Sequence, residues 1–146
     1  MIQYVDGDLL TSGTDCIAHQ CNCVTRNSKG LASYIFQKFP SSNTYIDKNY
    51  KRIRGEISVH NVEHFKIVNM YVQKYPGKPK YSNDDEITRV HYFKECLDKI
   101  KVLNIESVSF PYKIGCGLAG GDWETYENML IEFANETQIK VFVYKR

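Results

Sequence analysis

The chain has 146 residues, 42% hydrophobic and 25% charged, which are the proportions of one ordinary globular domain able to close around a single core. A formal net charge of +2 at pH 7 is too small to make nucleic acid the expected partner. No apolar run approaches the ~20 residues that cross a bilayer, so no membrane partner is expected, and MIQYVDGDLL does not read as a signal peptide. Five cysteines, an odd number, fit a reducing compartment, with the cytoplasm as the expected location and a monomer as the expected state.

No linker or repeat divides residues 1–146. Ile2 to Val5 alternates and is closed by Asp6-Gly7-Asp8, a short strand and turn; Cys16 to Gln20 reads as a second strand. From Gly30 to Phe39 the positions Leu31, Ile35, Phe36 and Phe39 fall at helical spacing, and Pro40 ends the run. Lys48 to Arg54 carries four cations, either a solvated surface segment or a local hold on a polyanion. Ile57 to Val62 and Phe65 to Val72 are two strands joined at Glu63-His64, the second apolar enough to lie inside a sheet.

Tyr75 to Glu86 is a long polar connection holding Pro76, Gly77 and Pro79, of a length that marks functional or mobile loops. Val90, Phe93, Leu97 and Ile100 form a helical stripe, Val108 and Phe110 belong to a buried strand, Met129, Leu130 and Phe133 form another stripe, and Val141 to Tyr144 closes as a strand. Strands alternating with helices predict an α/β domain whose sheet is parallel or mixed and covered on both faces. Ligands of such sheets sit outside the carboxyl ends of strands. The segments expected there are Asp6 to Leu9, His19 to Lys29, Gln73 to Tyr81 and Lys113 to Trp123.

The last of these holds four glycines within seven residues, Gly115, Gly117, Gly120 and Gly121, between a strand and an amphipathic helix. Glycine lets a backbone take positive φ and approach a ligand closely, and the loop leads into a helix N-terminus, so the arrangement reads as an anion cradle. No Lys-Ser/Thr follows, as a P-loop requires, and too little chain remains for a dinucleotide-binding half.

Taken in order, Gly7-Asp8-Leu9, His19-Gln20-Cys21-Asn22-Cys23, Lys29-Gly30-Leu31-Ala32 and Ile114-Gly115-Cys116-Gly117-Leu118-Ala119-Gly120-Gly121-Asp122-Trp123 resemble a macrodomain over nearly the whole chain. The resemblance is closest to the branch of ADP-ribose 1''-phosphate phosphatases and ADP-ribosyl hydrolases with a G-C-G-L loop. It implies a three-layer αβα fold with a central mixed sheet, no cofactor, and ADP-ribose or an ADP-ribosylated substrate as partner, with nucleic acid possible only as such a modified substrate. Asp8 resembles the acid that accepts from the adenine amine, and Asn22 the amide at the distal ribose. Gly30 to Ala32 and Gly115 to Gly120 resemble the loops that clasp the diphosphate.

The implied ligand-binding set is Asp8, Leu9, Gln20, Lys29, Gly30, Leu31, Ala32, Gln73, Tyr75, Ile114, Gly115, Cys116, Gly117, Leu118, Ala119 and Gly120. His19, Asn22 and Asp122 are the candidate catalytic residues. The sequence also departs from the family. Arg26-Asn27-Ser28-Lys29-Gly30 replaces the usual glycine run before the first helix, Gln73 stands where one hydrolytic branch has a lysine, and Ala119 where a subgroup has an acid. Lys74 is one residue away, which in an extended segment turns its side chain to the opposite face.

His19 titrates in a useful range and ends a strand, so it could orient or deprotonate a water; equally, it could hydrogen-bond a loop. Asp122 is either the N-cap of the last helix, the reading its position favours, or a general base. Cys16, His19, Cys21 and Cys23 lack the spacing of a zinc site, and Cys116 lacks a partner base for a thiolate role. Gln73 and Tyr75 are expected at the rim, where Tyr81 could flank a base or ribose and Lys78 and Lys80 could attract a terminal phosphate. The expected function is binding of ADP-ribose with hydrolysis of a bond at its distal ribose; the alternative is a module that binds without turnover.

Overall fold

The computed structural model describes Met1–Arg146. Its regular elements are β1 (Ile2–Asp6), β2 (Cys16–Asn22), α1 (Gly30–Lys38), β3 (Ile57–Val62), β4 (Phe65–Gln73), α2 (Glu86–Lys101), β5 (Ser107–Pro111), α3 (Trp123–Glu136) and β6 (Lys140–Lys145). The strands form one six-stranded sheet in the order β1-β6-β5-β2-β4-β3. Neighbours run parallel except β3, which pairs antiparallel with β4 across the Glu63-His64 turn. The sheet is therefore mixed, as expected.

Alternation along the strands divides the core between two faces. Cys16, Ala18, Val68, Met70, Val72, Val108 and Phe110 pack with Phe93, Leu97 and Ile100 of α2 and Tyr126, Leu130 and Phe133 of α3. Ile17, Cys21, Ile67 and Tyr71 pack on the other face with Ile35 and Phe36 of α1. This is a three-layer αβα arrangement. The ends of the helices follow their sequence: Phe39 closes α1 through its N–H to Ile35 O before Pro40, and Asp85 caps α2 by accepting from Thr88 N–H at 2.8 Å. No helix is long and apolar enough to cross a membrane.

Between β2 and β4 the register slips after Cys21 and Tyr71, so that Asn22 lies opposite Gln73. The extra residue falls at the carboxyl end of the sheet, and bulges of this kind redirect the side chains beyond them.

Candidate functional site

Because β1, β2, β4, β5 and β6 run parallel, the segments after β1, β2, β4 and β5 emerge at one edge of the sheet. At one end of this edge a cavity of about 220 Å³ is lined by Asp8, Leu9, Leu31, Tyr34, Pro111, Tyr112, Tyr144 and Arg146 among others. Asp8 caps the short turn Leu9–Thr11, its Oδ1 accepting from Leu10 N–H at 3.0 Å. Its Oδ2 meets the Tyr34 hydroxyl at 3.3 Å and Arg146 Nη1 at 3.0 Å. The Leu10 N–H, with help from Arg146 and Tyr34, holds this carboxyl below the usual range. An anionic acceptor beside an apolar slot suits a flat ring carrying an amine.

Leu31 leads from this cavity to the start of α1, whose first N–H groups have no partner within the helix. Opposite stands the glycine loop. Within it Cys116 N–H bonds Lys113 O, Gly120 N–H bonds Gly117 O and Gly121 N–H bonds Gly115 O, while the N–H groups of Gly117, Leu118 and Ala119 meet no acceptor in the chain. Leu118 lies 70% exposed, its Cδ1 3.4 Å from where a Cβ on Gly30 would stand. Successive free N–H groups near a helix N-terminus are suited to an anion site made of backbone alone.

Two glycines of this loop are required by space. Gly115 has φ +77°, and a Cβ there would stand 2.6 Å from Tyr126 Cε2 and 2.9 Å from Gln20 Oε1. A Cβ on Gly121 would stand 2.5 Å from Gly115 O and 2.8 Å from Tyr126 Cε1. The ring of Tyr126 thus forms the floor of the loop. Buried polar atoms without partners, Gln20 Oε1, Glu86 Oε1 and the Tyr126 hydroxyl, surround that floor.

Sequence reading missed the pair beneath the loops. Arg89 and Asp84 are both buried, with Nη2 donating to Oδ2 at 2.8 Å and Nε to Oδ1 at 3.2 Å. Arg89 also donates to Gly77 O at 2.8 Å, Tyr75 O at 3.2 Å and Ala119 O at 3.3 Å, and Asp84 accepts the N–H groups of Lys74 and Tyr75 at 3.0 Å each. Burial opposes ionisation of Asp84, but Arg89 and the two N–H groups outweigh it and hold the carboxyl below its ordinary value. One guanidinium therefore ties the β4–α2 connection to the glycine loop. The signal lay in the spacing: Arg89 stands four residues before Phe93 on the buried stripe of α2, where an apolar residue is the usual occupant.

At the far end of the cleft Asn22 Oδ1 accepts from Val24 N–H, Thr25 N–H and the Thr25 hydroxyl, which shapes the loop and leaves Nδ2 unspent. Gln20 Nε2 donates to Gln73 Oε1 at 2.7 Å, and Gln73 Nε2 to Tyr75 O at 2.9 Å. The two glutamines thus position each other and the Tyr75 backbone. Tyr75 itself packs on Tyr81 with ring centroids 4.7 Å apart. In the basic run, Arg52 donates to Asn22 O and Arg54 to Asn83 O, so these two cations hold loops.

Several expectations are corrected. His19 does not face the cleft: it shares the α1 face of β2 with Ile17 and Cys21, is 1% exposed, and meets Phe36 edge-on. Its Nε2 lies 2.6 Å from Asn69 Oδ1; since Asn69 Nδ2 donates to Ser42 O, His19 donates through Nε2. Burial lowers its pKa to about 4, so at neutral pH it is a neutral core residue and not a catalyst. Ile114 is buried at 3% exposure, with its N–H bonded to Pro111 O and its carbonyl accepting from the Cys116 thiol, so it supports the loop from within. The Cys116 thiol is pushed up to about 11 by burial and by Glu86 and Asp122, and stays protonated. Lys29, at the N-cap position of α1, makes no side-chain cap bond, and Ala32 is half-buried in the first turn. Asp122 occupies the N-cap position of α3, but its Oδ2 accepts the Thr125 hydroxyl at 3.0 Å and not a backbone N–H. A larger cavity of about 680 Å³, lined by Asp15, Glu63, Lys66 and Glu106, opens at the amino ends of β2, β4 and β5, away from the glycine loop.

A mixed sheet between helical layers, with an acid after β1 and a backbone anion cradle after β5, defines an αβα nucleotide-binding domain. The sequence matches the Macro domain family over residues 18–130, and the chain belongs to that family. It is 30% identical over 148 residues to the human ADP-ribose glycohydrolase OARD1, covering 98% of this chain and 90% of that one. It is 28% identical over 155 residues to an ADP-ribose 1''-phosphate phosphatase of Candida albicans, covering 92% and 95%. Among solved structures, the macrodomain of Mycobacterium tuberculosis DarG shares the fold at a TM-score of 0.77 and 24% identity, over 99% of this chain and 97% of that one.

Proposed function

We propose that this protein binds ADP-ribose and hydrolyses a bond at its distal ribose. The observation that carries the reading is the run of free N–H groups at Gly117, Leu118 and Ala119 opposite the start of α1, which fits a diphosphate and needs no cation. The cavity at Asp8 then takes the adenine, its carboxylate accepting from the amine, and the ribose beyond the diphosphate reaches Asn22 and the Gln73–Tyr75 rim. The two relatives above, both named as hydrolases of ADP-ribose derivatives, support turnover.

Asn22 presents Nδ2 to the ribose hydroxyls, and Asp122 keeps Oδ1 free to accept a proton from an attacking water. Five free cysteines fit a protein of the cytoplasm, and one compact domain fits a monomer.

The test is mass spectrometry after separate incubations with ADP-ribose 1''-phosphate, an ADP-ribosylated protein and ADP-ribosylated DNA. Turnover of one substrate is expected, reduced at least about tenfold in Asn22→Asp, which keeps the loop-shaping oxygen and removes the amide donor. A second reading, binding without turnover, is favoured by one observation: the burial of His19 removes a titrating side chain from the cleft. Intact substrates with bound ADP-ribose would select it.

A further inference from the structure

The glycine loop is not bare on its outer side. A Cβ on Gly120, which has φ +76°, would stand 2.8 Å from Cγ, 3.3 Å from Cδ and 3.4 Å from Cβ of Lys78. The aliphatic stem of Lys78 therefore lies flat across Gly120, in space that any other residue there would fill. The contact is held from below, because Arg89 Nη1 donates both to Gly77 O, one residue before Lys78, and to Ala119 O, one residue before Gly120. Pro79 follows the lysine directly and restricts its backbone to extended conformations.

With Cγ and Cδ beside Gly120, the ammonium lies within two further bonds of the residue that follows the free N–H groups of 117–119. Lys74 directs its ammonium over the Tyr75 ring at 5.4 Å, and Lys113 over Tyr112 at 5.6 Å, so these two neighbouring cations are occupied elsewhere. Backbone N–H groups suit the singly charged oxygens of a diphosphate; an added phosphomonoester brings close to two further charges and gains from a full cation.

We propose that Lys78 is a specificity-determining residue that makes the site favour ADP-ribose carrying a phosphate on its distal ribose over ADP-ribose itself. This rests on the proposed function above. The ammonium pairs with the terminal phosphate and contributes little to the diphosphate, which the loop already holds. It is exposed, so its effect weakens as salt rises.

The experiment compares binding of ADP-ribose and of a non-hydrolysable phosphonate analogue of ADP-ribose 1''-phosphate by calorimetry, at low and high salt, for the wild type, Lys78→Gln and Lys78→Arg. The wild type is expected to prefer the phosphonate. Lys78→Gln is expected to lose about five- to tenfold in affinity for the phosphonate and less than twofold for ADP-ribose, with Arg restoring most of the preference and salt eroding it. Equal losses for both ligands would place Lys78 at the diphosphate and overturn the proposal, as would no loss at all. A wild type that binds neither ligand would overturn the underlying ADP-ribose reading, an outcome distinct from either of those.

Discussion

The two ends of the cleft are made of different materials. At the Asp8 end, where the proposed function puts the adenine, the cleft is lined by side chains near the surface: a carboxylate that is 24% exposed, a tyrosine hydroxyl and Arg146 around an apolar slot. At the glycine-loop end the lining is peptide N–H groups, and the side chains that support them, Arg89, Asp84 and Tyr126, are buried below. The side-chain end should lose affinity without losing stability when it is altered, whereas the backbone end fails through its foundations.

The largest expected effect is at the foundation. Arg89→Met leaves the buried Asp84 carboxylate with only Arg54, 3.7 Å away, as a cationic partner and unpairs the Gly77 and Ala119 carbonyls, at a cost of about 3–5 kcal/mol in denaturant unfolding. In protein that still folds, ADP-ribose affinity should fall by more than about tenfold. Binding of AMP, which on the proposed function engages the Asp8 end, should fall much less; a parallel loss of both would show that the ends are not separable.

Gly115→Ala attacks the same end from above. Its new methyl would press on Tyr126 Cε2 and Gln20 Oε1 at a backbone φ of +77°, costing about 2–4 kcal/mol and displacing the N–H groups from the anion. The smaller cost, with the larger relative loss of affinity, separates damage to the cradle from damage to its support.

These positions also show what the sequence makes legible. The glycine run advertises itself, because residues without side chains serve a loop that must take positive φ over a buried ring. Asp8 and Asn22 stand out in the sequence because they lie at strand ends, where the structure also places them. Arg89 is hidden, since its partners at Tyr75, Gly77, Asp84 and Ala119 are main-chain oxygens and one acid that only the tertiary fold assembles. His19 misleads for a related reason. It sits two residues after Ile17 and two before Cys21 on the α1 face, and its apolar neighbours on that strand indicate the core as much as the cleft. The αβα architecture was readable from alternation and periodicity; which face of β2 each polar residue takes depended on the register with β4.

His19 belongs to neither end and gives a control that moves stability alone. Its folded pKa of about 4 lies below the ordinary value, so between those values the unfolded chain binds more protons than the folded one. Its contribution is fully present above the unfolded pKa and is lost as pH falls, by about 2 kcal/mol at pH 5 relative to pH 7. In His19→Gln, which can keep a donor toward Asn69, this part of the pH dependence should vanish while ADP-ribose binding at pH 7 persists. A loss of binding at pH 7 would return His19 to the site.

At the side-chain end, Asp8→Ala should reduce ADP-ribose affinity about tenfold through the lost acceptor for the adenine amine. The cost in stability is only that of a lost turn cap, about 0.5–1 kcal/mol. Unchanged affinity would remove adenine from this cavity.

The smallest effect expected has the opposite sign. Arg146 is 69% exposed, and its Nη1 occupies Asp8 Oδ2, the oxygen that the adenine amine would use once Leu10 N–H has taken Oδ1. A purine that enters must displace or share this contact, and an exposed ion pair holds it weakly. Arg146→Ala should therefore raise ADP-ribose affinity by about twofold and leave the unfolding midpoint nearly unchanged, measured at low salt where the pair is strongest. If affinity falls instead, the guanidinium stacks on the bound ring and the Asp8 end is a clamp with two jaws; then Arg146→Lys, which cannot stack as a plane, should fall nearly as far as Arg146→Ala.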